Sequence, residues 1–246
     1  MTMKMSRRET MQLSATALAG MSFAAVKSLE AAAQTPPAQS TPAQPDRLVD
    51  TQLRNIASLP LNPDGSAPEY TPQQAGQIDG VLWRTRNQSG GSVTPPGEYD
   101  YNKMRIKVDA RGHSRLSGTL TLPDLEKLPR HSYVTLLQCG APRPRGIVKW
   151  TGVRFSDFAK MVGMQSFAAY GRMIATDGYY LDEDMNTLMH PQVVLAWLLN
   201  DQPIPPQHGA PLRLIVPFRY GARSIKAITD IQFTATSFPP LKPWAA

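Results

Sequence analysis

Pro205-Pro-Gln-His208-Gly-Ala-Pro-Leu-Arg213-Leu-Ile-Val-Pro217-Phe-Arg-Tyr-Gly221-Ala-Arg-Ser224-Ile-Lys226 is the stretch on which the reading of this chain turns. Its middle alternates. Leu212, Leu214 and Val216 point one way, Arg213 and Ile215 the other, which predicts a short strand. His208 sits in a Gly-bounded loop before that strand. Beyond Pro217, Arg219, Arg223 and Lys226 fall within eight residues, with Gly221 among them. A terminal phosphate carries about two negative charges and three acceptor oxygens. Bidentate arginine and a point-charge lysine answer that demand, as do N–H groups of a Gly-containing turn. A basic strand edge that discourages edge-to-edge pairing has the same composition. The run alone does not decide between the two.

Working outward, the next landmark is Ser132-Tyr-Val-Thr-Leu-Leu-Gln-Cys139-Gly-Ala-Pro-Arg143. A β-rich apolar run delivers the single cysteine of the chain to a Gly/Pro-broken loop. A strand end followed by a loop fixes a group while leaving one side open. Three readings of Cys139 stand side by side. It is a small buried hydrophobe, a thiol nucleophile, or a soft thiolate ligand to a metal. A nucleophile wants a histidine base, and His113, His131, His190 and His208 form no recognised cysteine-hydrolase motif. A metal site here would draw its other sulfurs from a dithiolene cofactor, because no second cysteine exists.

Composition narrows the classes. One cysteine excludes an intrachain disulfide and any multi-cysteine zinc or iron–sulfur site. With 17 Gly and 23 Pro, a turn-rich fold is expected rather than a helical bundle. The formal charge is +7, of which the residues after position 33 keep +5, spread without a dense run. That suits a small anionic ligand better than a nucleic-acid groove, so no nucleic-acid partner is expected. No apolar stretch of about 18 to 20 residues occurs, so no permanent membrane span is expected.

The chain opens Ser6-Arg7-Arg8-Glu9-Thr10-Met11, continues through a mildly apolar Leu13–Val26, and reaches Ala31-Ala32-Ala33. Paired arginines before such a segment resemble a twin-arginine export signal over 1–33, cleaved on export to the periplasm. A general secretion signal or a plain tail is the alternative. Twin-arginine export machinery carries folded proteins, which suits a cofactor inserted in the cytoplasm. Residues 34–45 read as a Pro-rich linker, and 46–246 as one domain.

Within that domain, 46–80 reads as irregular. Val81-Leu-Trp83-Arg84-Thr-Arg86-Asn87-Gln88 is either an edge strand or an arginine-bearing site segment. Strands are expected over Lys103–Val108, Leu116–Leu122 and Tyr170–Ala175, the last ending in an Asp177-Gly178 turn. A helical turn is expected over Pro123–Pro129. A helix capped by Ser156 should follow Trp150-Thr-Gly-Val and stop at Gly163. Leu181-Asp-Glu-Asp-Met reads as solvated acidic surface. Gln192–Leu199 reads as a core strand or helix.

Four stretches taken together carry a resemblance: Leu-Gln-Cys139-Gly, Trp150-Thr-Gly-Val153, Thr176-Asp177-Gly178-Tyr-Tyr and, most specific, Pro205 to Lys226. Residues from about 81 to 236 resemble the molybdenum-cofactor domain of the sulfite oxidase family. That family includes sulfite dehydrogenases and the periplasmic methionine-sulfoxide reductase catalytic subunit. The resemblance implies an α+β, sulfite-oxidase-like molybdopterin-binding fold, a mixed β-rich core with short helices. It implies Mo-molybdopterin as cofactor, with Cys139 as metal ligand. Asn87, Asp177, His208, Arg213, Ser224, Ile225 and Lys226 are the implied cofactor contacts. Cys139, Arg143 and Arg86 are the implied catalytic set.

Three departures from the family pattern bear on the substrate. Gln88 stands where the arginine-asparagine-histidine signature ends. Arg143 is followed by Pro144 and then Arg145, where sulfite oxidases have adjacent arginines. The sequence ends at Ala246, so no C-terminal dimerisation domain of the sulfite oxidase kind is expected. The expected activity is two-electron oxygen-atom transfer on a small anionic or S-oxide sulfur compound, with sulfite-type oxidation and S-oxide reduction both open. A separate electron-transfer haem protein is expected as redox partner, because the sequence holds no Cys-x-x-Cys-His motif. The alternative is a secreted binding module that keeps the fold without turnover.

Overall fold

Ten strands and three short α-helices follow one another through the described residues. The structure, a computed structural model, describes residues 57–80, 99–109, 111–140 and 142–236. All of these lie in the unit Pro45–Ala246. The expected signal 1–33, the linker 34–45 and the Val81–Gln88 stretch, with Arg86 and Asn87, lie outside the described residues.

In chain order the elements are β1 (Ile106–Asp109), β2 (Gly118–Leu120), α1 (Leu122–Leu125), β3 (Arg130–Gln138) and β4 (Arg145–Arg154). Then come α2 (Phe155–Met161), β5 (Tyr170–Ala175), β6 (Tyr180–Asp184), α3 (Met185–Leu188) and β7 (Val194–Leu199). β8 (Gln202–Pro203), β9 (Arg213–Ile215) and β10 (Ile228–Thr234) complete the set. One sheet has the order β2-β1-β10-β5-β6, and the other β3-β4-β7-β8 with β9 also on β7. Among the described residues only β1 and β10 run parallel; every other pair is antiparallel. The fold is α+β, β-rich with short helices, as the sequence led one to expect.

Alternation places the core. In β7, Leu195 and Trp197 join the larger apolar cluster with β1, α2, β5 and β10, while Val194 and Ala196 join a smaller one on the opposite face. The second sheet is therefore buried on both faces at β7, which explains the near-continuous apolar run there. β9 obeys the same period. Leu212, Leu214 and Val216 enter the larger cluster, and Ile215 enters the smaller one beside Trp150 and Val148. Phe155, Phe158 and Phe233 pack ring to ring at 5.6, 6.3 and 6.4 Å between α2 and β10. Each such buried ring is worth about 3–5 kcal/mol against alanine.

Several local expectations shift. The strand expected from Lys103 begins at Ile106, because Tyr101–Lys103 forms a 3-10 turn whose first N–H groups need a cap. Asp100 supplies it, accepting from the Asn102 N–H at 3.0 Å. The strand expected to reach Leu122 stops at Leu120, because Thr121 and Asp124 close a capping box that starts α1. The cap of α2 is Arg154, not Ser156: β4 runs straight into the helix, and the Phe155 N–H donates to Val193 O at 3.0 Å.

The acidic run is not solvated surface, which corrects the sequence reading. β5 and β6 place Arg172 opposite Asp182. Arg172, 1% exposed, grips Asp182 through Nε and Nη2 at 2.5 and 2.6 Å. Glu183 accepts from Arg223 at 2.6 and 2.9 Å. Asp184 caps α3 by accepting the Thr187 N–H at 2.9 Å. Each carboxylate is consumed by a partner that sequence distance concealed.

Candidate functional site

Four elements converge on the residue after β3. Cys139 is half-buried, and its N–H donates to Pro144 O at 3.0 Å, closing the Cys139–Pro144 loop. The turn Gly221–Arg223 seats against the same strand end, where a Cβ on Gly221 would lie 3.4 Å from Gln138 O. β9 contributes Arg213, which interacts electrostatically with Cys139, and the turn Pro206–His208 is joined to Arg213 through the His208 carbonyl.

Arg213 is the centre of charge. Its side chain is buried, on the face of β9 away from the larger core. Nη1 donates to His208 O at 2.9 Å, and the guanidinium lies 4.9 Å from the centre of the Trp150 ring. Nε is buried with no acceptor, and among the described residues no carboxylate pairs with Arg213. Burial pushes its pKa down to about 9, so it stays charged at neutral pH. Cys139 acts in the opposite direction, so the sulfur lies within electrostatic reach of the guanidinium.

Lys226 reaches back over the same loop and donates from Nζ to Gln207 O at 2.9 Å. Burial, then Arg213, pushes it down to about 7, again against Cys139. Burial, then Lys226 and Arg213, pushes His208 down to about 4, so the imidazole is neutral at pH 7. Gly209, in the left-handed region at φ +116°, makes this approach possible. A Cβ there would stand 3.0 Å from Lys226 Cβ and 3.2 Å from Arg213 Cδ.

Main-chain bonds fix the surrounding loops. Ala227 N donates to Gly209 O at 3.1 Å and Thr176 N to Ala227 O at 3.0 Å. Ala227 itself has φ +53°, an unfavourable value for a residue with a Cβ, held where the loop passes the site. The Thr176 bond brings the Asp177-Gly178 turn alongside. Asp177 Oδ1 accepts from Tyr179 N at 3.1 Å, while Oδ2 is buried with no donor. Ser224 Oγ accepts the Val216 N–H at 3.0 Å, and Ile225 O accepts from Leu214 N at 3.0 Å. Ser224 and Ile225 thus brace the loop that presents Lys226.

The structure therefore gathers Cys139, His208, Arg213 and Lys226, with Asp177, Ser224 and Ile225 around them. Arg143 is placed differently. It is exposed, and its Nε lies 3.0 Å from Asp79 Oδ2. A cavity of about 500 Å³ opens beside that pair, with Tyr70, Leu136, Pro142 and Arg145 in its wall. Arg86 and Asn87 fall outside the described residues. Arg223, which the sequence groups with the anion-binding cations, is engaged by Glu183. Trp150 was legible only as part of a motif; nothing in its neighbours announces the contact with Arg213, 63 positions away.

Arg213 Nε without an acceptor, Asp177 Oδ2 without a donor and a thiol within electrostatic reach of Arg213 and Lys226 form a donor set suited to a phosphate-bearing pterin and a thiolate-ligated metal. Comparisons agree. The family profile of the oxidoreductase molybdopterin-binding domain matches residues 92–241. The protein-methionine-sulfoxide reductase catalytic subunit of Campylobacter jejuni is 28% identical, over 55% of this chain and 51% of that one. Mitochondrial sulfite oxidase of Drosophila melanogaster is 27% identical, over 73% of this chain and 34% of that one. The chain thus spans about half or less of the length of these relatives. The sulfane dehydrogenase SoxCD of Paracoccus pantotrophus superposes with a TM-score of 0.53 at 18% identity, over 82% of this chain and 60% of that one, a likeness of fold. The chain belongs to the oxidoreductase molybdopterin-binding domain family.

Proposed function

We propose that this chain is a periplasmic oxidoreductase that holds Mo-molybdopterin and acts on a small sulfur oxo-compound. The observation that carries the proposal is Arg213: a fully buried guanidinium with a free Nε, beside Lys226 and the Cys139 thiol. A buried charge without a counter-charge is costly to keep. An anionic ligand in this position offsets that cost and uses the idle donor.

In this reading Arg213, Lys226 and neutral His208 hold the terminal phosphate, with Ser224 and Ile225 bracing the loop. Asp177 Oδ2 accepts from the pterin. Cys139 ligates the metal as thiolate, a soft donor whose own strand fixes its position. Asn87 completes the cofactor contacts. When bound, the group supplies two-electron oxygen-atom transfer, and the protein supplies orientation and charge. Arg86 and Arg143 draw the anionic or S-oxide oxygen of the substrate. A separate haem protein exchanges the electrons. Support for export comes from the paired arginines Arg7 and Arg8, ahead of a mild apolar segment.

The test is elemental and pterin analysis of protein purified from a host that makes the cofactor, with dye-linked assays on sulfite, methionine sulfoxide and related S-oxides. Near-stoichiometric molybdenum and pterin with turnover in one direction is the expected result. Cys139→Ser should retain much of the pterin and lose turnover. Full turnover in that variant removes the ligand assignment. A cofactor-loaded wild type silent in both directions supports a binding module.

A further inference from the structure

Trp150 is fully buried, yet its indole Nε1 has no acceptor. Buried tryptophan usually satisfies that N–H, and an aliphatic residue would fill the space without the penalty. Something other than volume favours an indole here. Its ring face lies 4.9 Å from the Arg213 guanidinium, within cation–π range. The sheet is built to allow the contact. Between β4 and β9 runs β7, where Ala196 stands opposite both Gly152 and Arg213. On that face the next residue of β7 is Val194. These small side chains leave room for the indole of β4 to extend toward β9.

We propose that Trp150 is the positioning residue for Arg213, fixing its plane and keeping it buried as a cation without consuming its donors. A carboxylate in the same place would occupy the donors and cancel the charge an incoming phosphate needs. The ring face does neither. Nη1 is already committed to His208 O. With the plane held by Trp150, the Nε edge stays open. The inference rests on reading Arg213 as a phosphate contact.

The test compares Trp150→Phe, which keeps a ring face, with Trp150→Leu, which keeps bulk alone. The readout is the concentration of inorganic phosphate that releases half the co-purified pterin on gel filtration. Circular dichroism melts check folding. Trp150→Phe should stay within about threefold of wild type, and Trp150→Leu should release pterin at about tenfold less phosphate, the size of a desolvated cation–π contact. Protein labelled with 5-fluoro- and then 5,7-difluorotryptophan keeps the shape of the ring and withdraws charge from its face. Pterin release should ease stepwise along that series, whether or not the leucine variant folds. A folded Trp150→Leu that matches wild type, or a flat fluorotryptophan series, overturns the role of Trp150 while leaving the phosphate site intact. A wild type that carries no pterin overturns the phosphate reading and this inference together.

Discussion

Lys226 and Gly209 approach more closely than a side chain at position 209 ordinarily allows: a Cβ on Gly209 would lie 3.0 Å from both Cβ and Cγ of Lys226. The backbone at Gly209 is also left-handed, at φ +116°. Gly209→Ala therefore meets two penalties at once, and the protein should lose about 2–3 kcal/mol. Gly178 is the control. It has φ +83°, and a Cβ added there would meet nothing within 4 Å, so Gly178→Ala should cost only about 1 kcal/mol. Urea unfolding of both variants measures the difference. Pterin content should fall further in Gly209→Ala than in Gly178→Ala, since only there are Lys226 and Arg213 displaced.

Asp182 and Asp79 make ion pairs of very different worth. Arg172 is 1% exposed and doubly bonded to Asp182, so Asp182→Ala strips a buried guanidinium of its carboxylate and should cost about 3 kcal/mol or more. Arg143 and Asp79 are 72% and 62% exposed, and Asp79→Ala should cost less than about 1 kcal/mol. Raising salt should shrink the second effect and leave most of the first. Equal losses from the two substitutions would contradict the burial argument.

His208 sets a pH dependence with a definite sign. Its folded pKa is about 4 against 6.5 unfolded, chiefly through burial and then the charges of Lys226 and Arg213. Between those values the unfolded chain binds the proton and the folded chain does not. Stability therefore falls as pH drops from 6.5 toward 4. Asp184 acts lower. Its desolvation is outweighed by the Thr187 hydrogen bonds, so its carboxyl sits below the usual 3.8 and its contribution disappears only as pH falls through that lower value. Thermal melts of cofactor-free protein should show His208→Gln losing less stability than wild type across pH 6.5 to 4. Parallel curves would mean that the imidazole is not shielded.

Much of this was readable from alternation. Leu212, Leu214 and Val216 against Arg213 and Ile215 assigned β9 its two faces before any neighbour was known, because a strand repeats every two residues. Cys139 at a strand end and Lys226 in a basic loop were visible for the same local reason. What escaped were the long-range pairings. Arg223 reads as one of three cations in a row, and only the approach of β6 reveals Glu183 as its partner. The acidic run reads as surface until Arg172 is found opposite Asp182. Trp150 meets Arg213 only because β7 lies between their strands with small side chains on that face. Period and composition carry no information about which charge a sheet will place across from another.

A last prediction concerns the segment Gly76–Asp79. β4 pairs with β7 only from Trp150 to Arg154, which among the described residues leaves the start of β4 without a strand on that side. Gly76 N donates to Ile147 O at 2.8 Å, Asp79 N to Arg145 O at 2.7 Å, and Arg145 N back to Asp79 O at 3.1 Å. Asn200 Nδ2 ties down Gly76 O at 2.6 Å. The segment thus completes the sheet beside the cysteine loop, and it lies directly on Gly146, where a Cβ would come within 2.5 Å of Gln77 O. Backbone cannot yield as a flexible side-chain tip does, so Gly146→Ala should lift the segment. Hydrogen exchange at the Gly76 and Asp79 N–H groups should speed up by an order of magnitude or more for a loss of about 1.4 kcal/mol in local stability. Exchange in β10, in the other sheet, should be unchanged. Because the chain runs from Asp79 into the stretch that carries Arg86 and Asn87, the same variant should weaken pterin retention if those two residues contact the cofactor. Unaltered exchange at Gly76 and Asp79 would show that the close approach at Gly146 is not what seats the segment.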